Sequence, residues 1–435
     1  MWQRLLQIKT QLLAHEGFRR YGANTAWLMG EKILRMFIGL FVGIWIARYL
    51  GPEQFGLLSY AQSFVFLFTA VATLGLDSIV VRELVRDQSQ RDVLLGTAFA
   101  LKFAGSIVIL PLLWLGVQFT SNDSYTNLLI FIIASATIFQ SFNVIDFYYQ
   151  STVMSKYVAF ANTITLAISS LVKIYLILSQ ASLLEFALVG VFDALILALG
   201  MIYFYMHKTQ YFLRDWRFDK KVAKQLLKDS WPLVISSVMI SFYIKIDQVM
   251  IKEILDSNAV GQYAAAIRIS EAWYFIPMAI CSSVFPAIIN AKKESETLYY
   301  QRLQRLYSSV IWLSIGVALP MTVLSDWLII FLYGSAYVGA GSILMIHIWA
   351  GLFVGVGIAS SKWMISEGLQ AYSMISTIIG AFMNIVLNYI LIKKIGVLGA
   401  AVSTVITYAF ASYLLQFFFS TTRKNFYRVF KSIIR

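Results

Sequence analysis

About a dozen stretches of this chain are apolar for roughly 20 residues at a time, the length of helix that crosses the hydrocarbon core of a bilayer. No other feature limits the fold as strongly. A backbone N–H or C=O in lipid has no water to bond, so a spanning segment must satisfy its hydrogen bonds within itself or in a closed barrel. A barrel would show alternating segments of about ten residues, and these runs are continuous. The expected fold class is therefore all-α integral membrane, with about 12 transmembrane helices. Composition agrees, because 59% of the 435 residues are apolar and only 13% are charged, against roughly 25% charged in soluble domains.

The predicted spans are Thr25–Ile46, Leu57–Val80, Leu94–Val117, Leu128–Tyr149, Tyr157–Leu178 and Leu183–Tyr205, then Trp231–Ile254, Tyr263–Ile289, Tyr307–Leu332, Val338–Ile365, Tyr372–Ile392 and Val397–Ser420. The net charge of +13 does not argue for nucleic acid, because the positive residues gather in alternate connections. Counted that way, about 25 Lys and Arg fall on one side and 4 on the other, which places both termini in the cytoplasm. Residues 1–23 put Trp2, Leu5, Leu6, Leu12 and Leu13 on one face, flanked by Arg4, Lys9, Arg19 and Arg20. That is an amphipathic arm lying in the membrane interface, with no cleavable signal peptide evident. Residues 24–206 then form an N-terminal six-helix bundle, 207–229 a basic cytoplasmic linker, 230–421 a C-terminal six-helix bundle, and 422–435 a basic tail. A weak repeat spans the linker: Ala47 to Ala61 aligns with Ile251 to Ala265, with Leu50 answering Leu255, Phe55 answering Val260 and Gly56 answering Gly261. Two related halves predict a substrate site near the midplane. Cys281 is the sole cysteine, so an intrachain disulfide is impossible.

The charges inside the spans carry the functional argument. Against lipid, a dozen of them would cost on the order of 30–40 kcal/mol at insertion-scale rates. They must face one another, water or a polar ligand. Span one holds Glu31, Lys32 and Arg35, with Glu31 and Arg35 four apart in the favourable order. Asp77 sits near the end of span two and Lys102 lies in span three. Span four carries Gln140, Asn143, Asp146 and Gln150 at a spacing that makes one polar stripe. Asn162, Ser169 and Lys173 share a face of span five, and Asp193 lies in span six. Span seven aligns Ser237, Ser241, Lys245 and Gln248, while its Asp247 points elsewhere. Arg268 and Glu271 face together in span eight. Structural ion pairing competes with function for each of these. The candidates for substrate binding are the cations Arg35, Lys173, Lys245 and Arg268, each on a helix with a coherent polar face. Glu31, Asp77, Asp146, Asp247 and Glu271 are candidates for charge balance or for a coupling cation. Gln140, Asn143, Asn162, Ser241 and Gln248 would line the polar cavity. His347 reads as a hydrogen-bonded core histidine. No catalytic residue, metal cluster or cofactor motif stands out.

The stretch Ala47 to Phe64 (ARYLGPEQFGLLSYAQSF) and the stretch Thr73 to Leu84 (TLGLDSIVVREL) resemble the N-terminal signature of the polysaccharide-exporter branch of the multidrug/oligosaccharidyl-lipid/polysaccharide (MOP) superfamily. Lys245 to Trp273 resembles its second-half signature, and Tyr333 to Leu344 and Lys393 to Thr404 match later pieces. The likeness runs along almost the whole chain and is similar above all to the Wzx-type flippases of O-antigen and related repeat units. It implies a MATE-like fold, two six-helix bundles around a central cavity, with alternating access. The cargo it implies is an oligosaccharide linked through pyrophosphate to undecaprenol, a precursor of polysaccharides such as the O-antigen of lipopolysaccharide. The segment Ile267 to Pro277 resembles the lipid II flippase segment whose arginine serves the headgroup cavity, and Arg268 takes that place. An Arg-Asp pair of those enzymes is replaced here by Gly43 and Ile44.

The resulting expectation is a non-enzymatic transporter of the bacterial cytoplasmic (inner) membrane, monomeric, with no cofactor and H+ or Na+ as coupling ion. Its partners would be the lipid-linked oligosaccharide, the bilayer and polysaccharide polymerase or assembly proteins, with no nucleic acid. Two other readings compete. A MATE-like drug or cation antiporter would favour an acidic or apolar cavity. A membrane glycan polymerase or transferase would need a large outer loop with catalytic groups.

Overall fold

The computed structural model describes residues 16–434, and every regular element among them is helical. The interfacial arm expected at residues 1–23 falls outside the described residues as far as residue 15. Helix α1 runs from Glu16 to Thr73 but is broken at Gly51, where φ is 70° and ψ 170°. Glycine reaches that region without a Cβ clash. Pro52 follows, and its missing N–H suits the first turn of a new helix. Ten helices among the described residues are long and apolar enough to span a membrane. The pair Ser335–His347 and Ala350–Ser366, bent by 42°, passes the same test of length and apolarity together and makes an eleventh when counted as one span. Counting the broken α1 twice brings the spanning stretches to the twelve expected from the sequence.

The chain divides into two compact units. The first comprises the described residues up to Val42 together with Phe68–Ser237. After α1 it contains α2 (Asp77–Arg86), α3 (Arg91–Val117), α4 (Ser124–Gln140), α5 (Val144–Ser151), α6 (Lys156–Leu178) and α7 (Leu183–Thr209). Leu84, Leu95, Ile145, Tyr149 and Tyr205 form its buried centre, and Leu213 and Trp216 of the basic linker pack against it. The linker is also tied down by its backbone. The Arg217 N–H donates to the Asp92 carbonyl at 3.1 Å, and the Asp219 N–H donates to Thr97 Oγ1 at 3.0 Å. Within lipid, apolar burial gives little net drive, so close packing and interhelical hydrogen bonds hold such a unit together.

The second unit comprises Gly43–Leu67 and Val238–Arg435. Its helices are the part of α8 (Lys220–Ile254) from Val238 onward, then α9 (Ser257–Ala272), α10 (Phe275–Glu294), α11 (Glu296–Tyr333), α12 (Val338–His347), α13 (Ala350–Ser366), α14 (Gln370–Ile395), α15 (Val397–Ala409), a π-turn at Phe410–Leu414, α16 (Leu415–Phe418) and α17 (Ser420–Ile434). Tyr299, Tyr307, Val310, Trp363 and Val429 share its core. Helix α17 presses Thr422, Asn425, Val429 and Ser432 inward, and Asn425 donates both to Tyr307 Oη at 2.9 Å and to Gln416 Oε1 at 2.8 Å. The faint repeat acquires a physical meaning here. A Cβ on Gly56 would strike the Ser257 carbonyl and the Gly261 backbone, and a Cβ on Gly261 would strike the Pro52 carbonyl. The two glycines that answer each other in the repeat are thus packed backbone to backbone.

Candidate functional site

In the second unit the polar residues of α8 and α9 separate into two groups. Arg268, Lys245 and Glu271 form the first. Glu271 lies within electrostatic reach of both Lys245 and Arg268. Helix α9 ends one residue later at Ala272 because Pro277, in the first turn of α10, has no N–H to continue the ladder. The Tyr274 N–H turns back to the Glu271 carbonyl at 3.0 Å and the Ile276 N–H to the Trp273 carbonyl at 2.9 Å. The guanidinium of Arg268 lies over the Phe55 ring, 5.1 Å from its centroid, and abuts Gly43. Any side chain at position 43 would displace it. Tyr333 and Tyr337 stand beside it, and Tyr337 is anchored by a 2.7 Å hydrogen bond from its hydroxyl to the Ala47 carbonyl. Among the described residues neither Arg268 nor Lys245 has a carboxylate within 4.0 Å. Both side chains are half-buried. Two such cations offer forked and point-charge donors to a compact anion.

Asp247 heads the second group and points away from the first, as its helical phase predicts. It is buried, and its carboxylate accepts from Tyr263 Oη, Thr404 Oγ1 and Asn388 Nδ2, each at 2.7 Å. Asn388 Nδ2 also donates to Asn384 Oδ1 at 2.9 Å, and Asn388 Oδ1 has no hydrogen-bond partner. Asn384 and Asn388 are four residues apart within the predicted span Tyr372–Ile392, so the sequence itself displays that pair. Tyr263 and Thr404 do not stand out in it, because a tyrosine near a span end and a threonine among small residues are ordinary there. Gln248, one residue on, accepts from Ser63 Oγ at 2.7 Å, and Ser241 is buried on the same helix.

In the first unit the cations Arg35, Lys102 and Lys173 each have a carboxylate beside them. Arg35 donates to Glu31, Nε to Oε1 at 2.7 Å, and Glu31 is buried while Arg35 is exposed. Lys173 lies 3.0 Å from Asp193 and donates to Ser169 at 2.7 Å. Lys102 is buried, 3.5 Å from Asp77 and over the Phe147 ring. The helix of span two stops at Thr73, short of the predicted Val80: the chain turns at Leu74 and Gly75, both with positive φ, and Asp77 opens α2, where a carboxylate suits the helix dipole. Asp146 accepts from Gln150 at 2.9 Å. The stripe expected on span four is interrupted by a 3-10 turn at Ser141–Asn143; this tighter winding shifts the phase between Gln140 and Asp146. Gln140, Asn143 and Asn162 are all partly buried. His347 is buried, with Nδ1 2.9 Å from Ser270 Oγ, a hydrogen-bonded core histidine as read from the sequence.

Comparison with known proteins adds three kinds of likeness. Residues 21–292 match the family model described as "Polysaccharide biosynthesis protein", and residues 232–390 match the MatE model. Over 193 residues the chain is 26% identical to the "Probable low-salt glycan biosynthesis flippase Agl15" of Haloferax volcanii, a match covering 43% of this chain and 40% of that protein. The fold superposes on an inward-facing multidrug resistance MATE family transporter of the MOP superfamily with a TM-score of 0.75 at 15% identity, covering 91% of this chain and 96% of the other. The lipid II flippase MurJ in an inward closed conformation gives 0.71 at 17% identity, covering 94% and 91%.

Proposed function

Because the chain belongs to the polysaccharide biosynthesis protein family, a branch of the MOP superfamily, we propose that it is a flippase for lipid-linked glycans. Its cargo in this reading is an undecaprenyl-pyrophosphate-linked oligosaccharide repeat unit, of O-antigen or a related polysaccharide. The unit would pass from the cytoplasmic to the periplasmic leaflet of a bacterial inner membrane by alternating access. The observation that carries the proposal is that Arg268 and Lys245 hold two positive charges with no carboxylate at ion-pair distance among the described residues. A pyrophosphate cannot cross a dry bilayer core, and charge-assisted hydrogen bonds from these groups would offset its desolvation. Arg35 and Lys173 are already neutralised by Glu31 and Asp193, so the headgroup is assigned to the second unit's cations. The buried Asp247, with three donors and the open acceptor of Asn388 beside it, is where a coupling H+ or Na+ would act.

The test is complementation of a strain lacking its repeat-unit flippase. Wild type should restore surface polymer. Arg268→Ala and Lys245→Ala, at matched membrane levels, should each weaken headgroup binding about ten- to a hundredfold, the loss of one charge-assisted contact. Full restoration by both variants would remove the site assignment and keep the transport reading. The MatE match over residues 232–390 favours a drug or cation antiporter as second reading. It would be adopted if wild type failed to restore polymer and instead lowered the sensitivity of the host to cationic drugs.

A further inference from the structure

The second unit holds a partly open cavity of about 710 Å³ whose lining includes neither Arg268 nor Lys245. That is within the roughly 300–1,000 Å³ typical of small-molecule sites and leaves room for roughly two or three sugar rings. Its walls come from α8, the C-terminal end of α9, α10, α13, α14, α15, the π-turn that follows it and α16. Such a one-residue widening of a helix often accompanies a functional site, and here it places Ser412 in the wall.

The chemistry of the lining is specific in kind. Tyr243, Tyr274 and Tyr408 present aromatic surface, with the rings of Tyr243 and Tyr408 4.8 Å apart and tilted by 31°. Hydroxyls come from Ser282, Ser361, Ser376 and Thr377. Ser376 and Thr377 donate to the carbonyls of Tyr372 and Ser373, at 2.8 and 3.1 Å. Their oxygens keep lone pairs free to accept from a ligand hydroxyl. Glu271 and Lys362 are the charged groups in the wall, one of each sign. A single lysine facing a carboxylate is a poor cradle for a pyrophosphate. Aromatic faces for C–H surface, many neutral hydroxyls and one carboxylate are what a neutral sugar needs.

We propose that this cavity is a glycan subsite that receives neutral glycosyl residues of the cargo, apart from the cations that take its phosphates. The inference rests on the flippase reading above. It divides recognition in two, with the anchor held by charge and the sugars by hydroxyl and aromatic contact.

The experiment uses the source strain with its chromosomal copy removed and the full chain supplied in trans. Two cargoes are compared: the complete lipid-linked repeat unit, and the same lipid carrying only its first sugar, made by deleting the later glycosyltransferases. Outer-leaflet arrival is read by periodate oxidation of intact spheroplasts and mass spectrometry of the lipid fraction. The variants are Ser361→Phe, which pushes a ring into the cavity, and the nearly isosteric triple Ser361→Ala/Ser376→Ala/Thr377→Val, which carries the test if the first fails to fold. The expected result is that export of the complete unit falls about tenfold, the effect of a few lost hydrogen bonds, while the one-sugar lipid is exported at the wild-type rate. Equal loss of both cargoes, or loss of neither, overturns the subsite and leaves the flippase reading intact. Failure of wild type to export either cargo overturns the flippase reading and the subsite with it.

Discussion

Lys173 and Arg268 are both cations set in apolar helices, and they stand in opposite situations. Lys173 lies 3.0 Å from Asp193 Oδ2, and Asp193 Oδ1 has no hydrogen-bond partner among the described residues. Lys173→Ala strips that carboxylate of its counter-charge and should lower stability by about 1–3 kcal/mol. Adding Asp193→Ala should recover most of it, because the residual cost was an unpaired charge rather than a lost attraction. Thermal unfolding of the three variants in one detergent measures the cycle; simple additivity would mean the pair is uncoupled. The double variant should also complement the flippase-deficient strain, which Arg268→Ala should not. Asp247 makes a related case. Thr404→Val removes one of three 2.7 Å donors at constant volume and should cost about 1–3 kcal/mol. An unchanged unfolding midpoint would mean that water replaces the hydroxyl and that this cage is not closed.

Helices were readable because the bilayer leaves the backbone no alternative, so twenty apolar residues mean one span wherever they fall. Their interruptions were less so. Asp77 opens a new helix, Ser141–Asn143 tightens to 3-10, and Phe410–Leu414 widens to π. Each breaks the 100° phase on which a polar stripe is drawn, and none has a proline to announce it. The break after Ala272 does, in Pro277. Which charges pair depends on how whole helices are rotated against one another. The sequence therefore showed both Lys173 and Asp193 without showing that they meet, and it showed Asp247 without Tyr263 and Thr404. The Gly56 and Gly261 contact is the element-level exception, because the repeat had already matched the two positions. Gly261→Ala would drive a Cβ into the Pro52 carbonyl, and backbone cannot move aside as a side chain can. The expected cost is about 1–3 kcal/mol, in the range of overpacking. Gly30→Ala is the control: nothing lies within 4 Å of its Cβ, and helix propensity should make it neutral or stabilising by up to about 1 kcal/mol. Similar unfolding midpoints for the two variants would show that α1 and α9 are not in close contact.

For the whole molecule, direction is the property that matters, since a flippase is defined by which leaflet loads the cargo. Helices alone do not reveal it, because a bundle and its inverse bury the same residues. The orientation proposed here follows from the distribution of Lys and Arg, dense in the linker that straps onto the first unit through Arg217 and Asp219 and absent between Gln118 and Asn127. A membrane potential and anionic lipid on the cytoplasmic side both oppose carrying the linker outward, at about 1 kcal/mol per basic residue near the surface. The chain makes this testable because its one cysteine, Cys281, is fully buried. In a Cys281→Ala background, Ser121→Cys should react with a membrane-impermeant maleimide in intact spheroplasts. Lys224→Cys should react only after permeabilisation; both positions are exposed, so a failure to label reports the side and not burial. The opposite pattern would put the linker outside and overturn the cytoplasmic loading proposed here. It would also mean that the charge asymmetry serves a contact on the outer face and does not set the orientation of the chain.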